Sequence, residues 1–252
     1  MIGPGSAALL FAAGVVGGMI NAVAGGGSFV AFPTMLFLGV PPVAANATTA
    51  AALWPAGLAS AVAYRRDLQS DRTTILVLAL ASAVGGVFGA KLLLVTSDQT
   101  FAKLIPWLLL VASLVFTFGS RLSRGMSGRG GVPLAVGAVV QLFIASYGGY
   151  FGGGMGILML ATFTLMGMTH MHAMNGLKIV LGILINGAAN VAFFAAGTVV
   201  LDVAAPVALG AIAGGWYGAS IARTVDPEKV RRVVLGFAWL LTAWFFVRAL
   251  LR

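Results

Sequence analysis

The sequence predicts an all-α integral membrane protein, with about eight transmembrane helices in two homologous halves of four, each half containing a half-helix broken by glycines. The chain of 252 residues is 60% hydrophobic and only 8% charged. A soluble domain carries about 25% charged residues, so this chain cannot cover a water-facing surface. Apolar segments of membrane-spanning length recur along it, and a pattern of glycines repeats after about half of the chain.

Eight apolar segments are long enough to cross the hydrocarbon core, which takes about 20 helical residues. They are 6–24, 43–64, 73–95, 104–120, 132–151, 173–196, 203–222 and 231–250. Two further segments, 28–39 and 155–168, are too short and each follows a glycine triplet. These are expected to be half-helices that lie inside the protein or beside a water-filled cavity. The first segment ends in a sequence similar to a signal-peptidase site, but no Lys or Arg precedes it, so we expect it to be retained.

An internal repeat divides the chain. Gly25-Gly26-Gly27 recurs 127 residues later as Gly152-Gly153-Gly154, and Asn46 recurs 129 residues later as Asn175. The repeat predicts a first transmembrane half over 1–122, a basic Gly/Arg linker over 123–131 and a second half over 132–252. Four spans per half would make the halves parallel, and an odd number would make them inverted. Sorting the Lys and Arg residues by eight alternating spans gives eight against six and favours both termini in the cytoplasm.

The two triplets are the first candidate for a functional site. They are Gly25, Gly26 and Gly27, and Gly152, Gly153 and Gly154. Each opens a half-helix, whose N-terminus presents unpaired amide groups and a partial positive charge. A pair of such N-termini near mid-membrane predicts an anion site. The alternative is close helix packing, which we assign to Gly85, Gly89, Gly214 and Gly218.

Lys178 is the second candidate, because it lies inside an apolar span while all six acidic residues lie in loops or at span ends. A lysine at that depth costs about 2.5–3.5 kcal/mol and commonly marks function, the alternative being a side chain that extends to the interface. Asn175 shares its helix face, and the repeat places Asn46 and Thr49 at the same spacing. Ser28 and Met155, which follow the triplets, complete a predicted substrate-binding set that is rich in donors and free of carboxylates.

Other chemistry has weak support in the sequence. There are no cysteines, and His170 and His172 have no carboxylate or thiol near them in the chain, so we predict no metal site and no cofactor. No nucleophile–base–acid set and no phosphate-binding loop occurs, which argues against an enzyme. The net charge of +9 comes from residues between the spans, so we expect a lipid bilayer and a small anion as partners, and no nucleic acid.

The sequence resembles the TauE/SafE family of sulfite exporters. The resemblance rests on NAVAGGGSFVAFPTMLFLGVPPVAANATTAA in the first half and GGYFGGGMGILMLATFTLMGMTHMHAMNGLKIVLGILINGAANVAFF in the second. It implies a secondary transporter, in the bacterial inner membrane, that exports a small sulfur-containing oxyanion such as sulfite, thiosulfate or an organosulfonate. The anion would bind between the two repeats near mid-membrane, with protons as a candidate coupling ion. The alternatives are a transporter or channel for a non-sulfur organic anion, an intramembrane enzyme or an assembly subunit.

Overall fold

The computed structural model describes residues 3–23, 26–64, 71–126, 131–221 and 227–250. Within these ranges the chain forms ten α-helices and no strand. The helices are α1 (Pro4–Val23), α2 (Ser28–Phe37), α3 (Pro42–Tyr64), α4 (Arg72–Val95), α5 (Asp98–Met126), α6 (Leu134–Tyr150), α7 (Met155–Leu165), α8 (Met171–Ala195), α9 (Leu201–Ile221) and α10 (Pro227–Leu250). Every predicted span and both predicted half-helices correspond to one of them. Helix α5 continues to Met126 and so extends into the predicted linker.

Four of these helical segments are both long enough and apolar enough to cross a membrane. They are Pro4–Asn21, Arg72–Val95, Asp98–Phe118 and Ala173–Ala195. Three shorter apolar helices accompany them: Ser28–Phe37, Leu134–Tyr150 and Met155–Leu165. These helices therefore agree with the helical membrane protein that the composition predicts. The count of eight spans stays a prediction.

Glycines bring two pairs of helices into close contact. A Cβ atom at Gly14 or Gly18 of α1 would collide with the backbone of Val207 or Ala211 in α9, and Gly214 faces the carbonyl oxygen of Val15. Helices α4 and α6 pack in the same way, since Cβ atoms at Gly85 and Gly89 would meet the backbone around Leu142 and Ser146. The predicted packing role is confirmed for Gly85, Gly89 and Gly214.

Contacts along these helices give their relative directions. Helices α1 and α9 run parallel, as do α4 and α6, where Gln141 bonds to Ser82 and Gly89 lies further along against Ser146. Helices α5 and α10 run antiparallel, because Trp107 contacts Phe246 while Thr117 contacts Trp239. Helices α3 and α8 are antiparallel as well: Thr48 accepts a bond from Val200, just beyond α8, whereas Gly57 lies against Ile183.

The bundle therefore has two ends, which we name after the helices that begin there. Helices α1, α3, α5 and α9 begin at the α3 end, where Asp98 of α5 accepts a hydrogen bond from the amide of Val43 in α3. Helices α4, α6, α8 and α10 begin at the α4 end, where the amide of Val132 bonds to Leu165 at the end of α7. Helices α1 and α2 thus form a hairpin that returns to the α3 end, and α6 and α7 form one that returns to the α4 end.

Two hydrogen bonds join residues that are 129 positions apart, the offset of the predicted repeat. The hydroxyls of Ser113 and Thr242 lie 3.1 Å apart between α5 and α10, and Trp54 Nε1 donates to the carbonyl oxygen of Ile183 at 3.1 Å. Both pairs join antiparallel helices. A two-fold axis through such pairs lies perpendicular to the helices, which favours inverted halves over parallel ones. The repeat itself remains a prediction.

Candidate functional site

The second glycine triplet makes a turn that glycine adopts far more easily than other residues. Gly152 and Gly154 have φ angles of 82° and 78°, in the left-handed region where a Cβ atom is strained. Gly154 is the N-cap of α7, which begins at Met155. The triplet therefore reverses the chain between α6 and α7, and the first amides of α7 have no carbonyl partner within their own helix.

The first triplet has a different local geometry. Gly27 caps α2 with a helical φ of −59°, and a Cβ atom there would collide with the carbonyl oxygen of Gly17 in α1. Close packing of α1 and α2 is thus sufficient to explain Gly27. Such packing is the alternative to an anion site that the sequence left open. Gly25 lies outside the described residues.

The two triplets converge on one side chain of α5. The position of a Cβ atom on Gly26 is 3.4 Å from Phe116, and that on Gly154 is 3.6 Å from the same ring. Gly153 contacts α5 one helical turn before Phe116, since its Cβ position is 3.3 Å from Ala112. Both half-helices therefore begin in the interior of the bundle, against α5, as expected for paired N-termini.

Two polar residues of the first half, Asn46 and Thr49, already have protein partners. Asn46 donates from Nδ2 to the carbonyl oxygen of Tyr150 at 2.9 Å, and Thr49 donates its hydroxyl to the carbonyl oxygen of Ala45 at 2.7 Å. Ser28 and Asn46 line a cavity of about 10 Å³ with Phe29, Phe32, Leu109 and Phe151. A cavity of this size holds about one water molecule, so it has no room for an oxyanion.

The polar residues of the second half form the predicted pair. Lys178 donates from Nζ to Oδ1 of Asn175 at 3.0 Å, so their shared helix face is confirmed. The aliphatic part of Lys178 lies against Gly156 in the first turn of α7, where a Cβ atom would be 3.2 Å from Cδ. Met155 packs elsewhere, against Gly148 of α6 and Gly182 of α8. The stem of Lys178 therefore lies beside the first turn of a half-helix.

These two groups lie toward opposite ends of the bundle. Asn46 and Asn175 are each eight residues from the crossing of α3 and α8 at Trp54 and Ile183, which is about 12 Å along each helix. Because α3 and α8 are antiparallel, the two distances run in opposite directions. Ser28 and Asn46 line one small cavity, and Asn175 and Lys178 form a separate hydrogen-bonded pair.

Some polar groups stand apart from the predicted set. Gln141 is fully buried and donates to Ser82 at 2.8 Å, while its Oε1 has no partner among the described residues. Asn190 is 97% buried, and neither polar atom of its side chain has a partner in that part of the chain. Sequence reasoning did not predict that these groups are buried, because a helix that is apolar all round does not show which of its faces points inward. Asn186 bonds to Gly182 of its own helix.

A larger cavity of about 440 Å³ opens at the α4 end. It is lined by Asp71, Thr74, Gly167, Met168, Thr169, His170 and Ala173. Asp71 is the N-cap of α4, and hydrogen bonds from the backbone amides of Thr74 and Thr73 hold the pKa of its carboxyl below the usual value. Within the described ranges, no group of three or more His, Cys, Asp and Glu side chains could hold a metal ion.

The long apolar helices indicate a membrane protein, and comparison with known proteins gives its family. The chain belongs to the family described as Sulfite exporter TauE/SafE, whose model matches residues 10–245. A "Probable membrane transporter protein" from Haemophilus influenzae is 28% identical over 94% of this chain and 92% of its own length. "Probable membrane transporter protein ORF9" from a Sinorhizobium species is 29% identical over 90% of this chain and 87% of its own. No solved structure matches the chain significantly.

Proposed function

We propose that the protein is a secondary transporter that exports a small sulfur-containing oxyanion across the bacterial inner membrane. The observation that carries this proposal is the position of Lys178, paired with Asn175 and lying against the first turn of α7. The family description supplies the sulfur oxyanion class, and the bacterial relatives support the membrane. Transport in place of catalysis accords with the two relatives, each named a probable membrane transporter protein.

Lys178 has capacity to bind an anion. An ammonium group has three donors, and the bond to Asn175 uses one of them. Among the described residues, no carboxylate lies within ion-pair distance of Lys178, so no protein charge there compensates it. The partial positive charge of the α7 N-terminus adds to the field of Lys178. An oxyanion that accepts bonds from Nζ and from the first amides of α7 would satisfy both groups.

Large and small side chains occupy opposite positions in the two halves, which supports a substrate site in the second half. Aligning the triplets places Phe29 of α2 opposite Gly156 of α7, and the offset of 129 places Thr49 opposite Lys178. Where the first half has a large ring and a short side chain, the second has a glycine and a long side chain that lies across it. We infer that the second half provides the charged substrate site and the first half provides the closed packing opposite it.

The distribution of charge suggests an orientation. By sequence, ten of the 15 Lys and Arg residues belong to helix ends or connecting segments of the α4 end: Arg65, Arg66, Arg72, Arg121, Arg124, Arg129, Arg223, Lys229, Arg231 and Arg232. Four belong to the α3 end: Lys91, Lys103, Arg248 and Arg252. The positive-inside rule then favours the α4 end in the cytoplasm and both termini outside. The eight-against-six sorting differs because it assumes eight alternating spans, whereas both hairpins return to the end where they begin.

Binding can be tested by thermal-shift titration of the purified protein with sulfite, thiosulfate, sulfate, sulfoacetate and taurine. A ligand that binds only the native state raises the melting temperature by mass action. We expect a sulfur oxyanion to raise it, and Lys178→Ala to weaken the affinity by about tenfold or more, since bonds to a charged group are lost. Lys103→Ala, which removes an exposed lysine of α5, is the matched control and should bind as the wild type does.

Each other outcome has a definite meaning. Equal affinity in the Lys178→Ala and wild-type proteins would reject the role of Lys178. A shift with carboxylates and none with sulfur oxyanions would favour the alternative of an organic-anion transporter. Uptake of the bound anion into proteoliposomes, measured against an imposed proton gradient, would then test protons as the coupling ion.

A further inference from the structure

We propose that five aromatic side chains, Phe32, Phe101, Tyr147, Tyr150 and Phe151, form a closed gate between the substrate path and the α3 end. We call this group the aromatic plug. The inference rests on the proposed transport function, because a gate has meaning only for a path. Its consequence is that, among the described residues, the path is closed toward the α3 end in this conformation.

The rings of the plug form a continuous chain of contacts. Tyr150 and Phe101 meet edge to face with centroids 5.6 Å apart, and Phe101 meets Phe32 at 6.4 Å. Phe32 meets Phe151 at 6.0 Å, and Phe151 meets Tyr147 at 6.3 Å. Edge-to-face pairs add stability beyond the area they bury. The chain of rings therefore holds α2, α5 and the end of α6 together.

Hydrogen bonds fix the plug to the surrounding helices. Asn46 of α3 holds the carbonyl oxygen of Tyr150 at 2.9 Å, and the Tyr150 hydroxyl lies 3.4 Å from that of Thr96. The Tyr147 hydroxyl donates to the carbonyl oxygen of Gly153 at 2.6 Å, within the second triplet. The plug thus joins α2, α3 and α5 of the first predicted half to α6 of the second. A relative movement of the halves would break the two bonds of Tyr150, to Asn46 and Thr96, together.

The depth of the plug matches a barrier. Phe101 is fully buried in the first turn of α5, at the α3 end, while Phe32 and Phe151 line the 10 Å³ cavity beside Ser28 and Asn46. The rings therefore occupy the space between that end and Ser28, at the level of Asn46. No small oxyanion can pass through a space with room for about one water molecule.

The opposite end differs in both residues and space. Aligning the triplets places Phe29 and Phe32 opposite Gly156 and Met159 of α7, so these two rings have no aromatic counterpart in α7. The cavity of about 440 Å³ lies at this α4 end, where α4 and α8 begin. The halves therefore break their predicted symmetry in a way that closes the α3 end and leaves space at the other.

The chain has no cysteine, so the gate can be tested with single-cysteine variants and an anionic thiol reagent, 2-sulfonatoethyl methanethiosulfonate. Ser28→Cys places a reporter in the cavity behind the plug. Gly5→Cys in α1 and Thr169→Cys in the larger cavity mark the α3 and α4 ends and identify which side the reagent reaches. Membrane vesicles of both orientations are labelled, and the rate at each cysteine is measured without any substrate.

We expect Ser28→Cys to label slowly from the α3 end, and Phe101→Ala to raise that rate by about tenfold, since two edge-to-face contacts are lost. Phe118→Ala, which removes a half-exposed ring of the same helix, should leave the rate unchanged. Phe101→Leu removes the ring but keeps an apolar side chain. The melting temperature of each variant shows whether faster labelling comes from an opened gate or from misfolding. An unchanged rate in well-folded Phe101→Ala and Phe101→Leu, or an equal rise in Phe118→Ala, would overturn the gate. Because the readout is labelling, it is independent of the anion-binding result with Lys178→Ala.

Discussion

At the scale of single residues, the pairing of Lys178 with Gly156 is the most informative contact in the molecule. The sequence indicates that Lys178 and Asn175 share a helix face, because i and i+3 positions always do. It cannot indicate that the lysine lies across the first turn of another helix, since this depends on how α7 returns beside α8. The same limit applies to Asn46, whose partner is a backbone carbonyl 104 residues away.

Gly156→Val should weaken anion binding by about tenfold while the protein remains folded, because a branched side chain would displace Lys178 from α7 at the cost of charge-assisted bonds. Affinity for the sulfur oxyanion is measured by the same thermal-shift titration. Gly236→Ala is the control, since no heavy atom lies within 4 Å of the Cβ position there. Wild-type affinity in Gly156→Val would show that the placement of Lys178 is irrelevant to the ligand.

At the scale of helices, the short segments after the triplets were the most predictable feature. Helices α2 and α7 begin at Ser28 and Met155, the first residues of the predicted segments, because three consecutive glycines are a poor helix interior. The packing partners were less predictable. Small residues mark a close helix contact but do not specify which other helix makes it, so the pairing of α1 with α9 emerges only from the structure.

A pair of neighbouring glycines tests this helix packing. Gly214→Ala should destabilise the protein by about 1–3 kcal/mol, because the new methyl group would collide with the backbone at Val15. Gly215→Ala should have little effect, since its Cβ position is 3.5 Å from Ala56, an ordinary contact. Thermal unfolding in one detergent compares the two variants. Equal melting temperatures would mean that α1 and α9 can separate without cost.

At the scale of the whole molecule, helix direction was the feature that sequence reasoning could not fix. Eight alternating spans and six spans with two returning hairpins use the same apolar segments, and only contacts between distant helices distinguish them. The antiparallel pairs α3–α8 and α5–α10 supply those contacts. They move the charges between α9 and α10 to the α4 end and those at the C-terminal end of α10 to the α3 end. The positive-inside rule then favours both termini outside, in place of both inside.

Reporter fusions test this orientation. Alkaline phosphatase is active only outside the cytoplasm, so we expect activity when it follows Arg252 and none when it follows Met126, at the end of α5. A fluorescent protein that folds only in the cytoplasm should give the reciprocal result at the same two positions. The reverse pattern at both positions would refute the assignment of the arginine-rich end to the cytoplasm.

The glycine contact between α1 and α9 also has a consequence for biosynthesis. Gly14 and Val207 are 193 residues apart, so α1 enters the membrane long before its partner is made. Its small-residue face must wait, uncovered or held by an insertion factor, until nearly the whole chain has left the ribosome. Helix α4 waits only for α6, so that contact can form much earlier in synthesis. Chains that stop before α9 should therefore be recognised as unfinished and degraded.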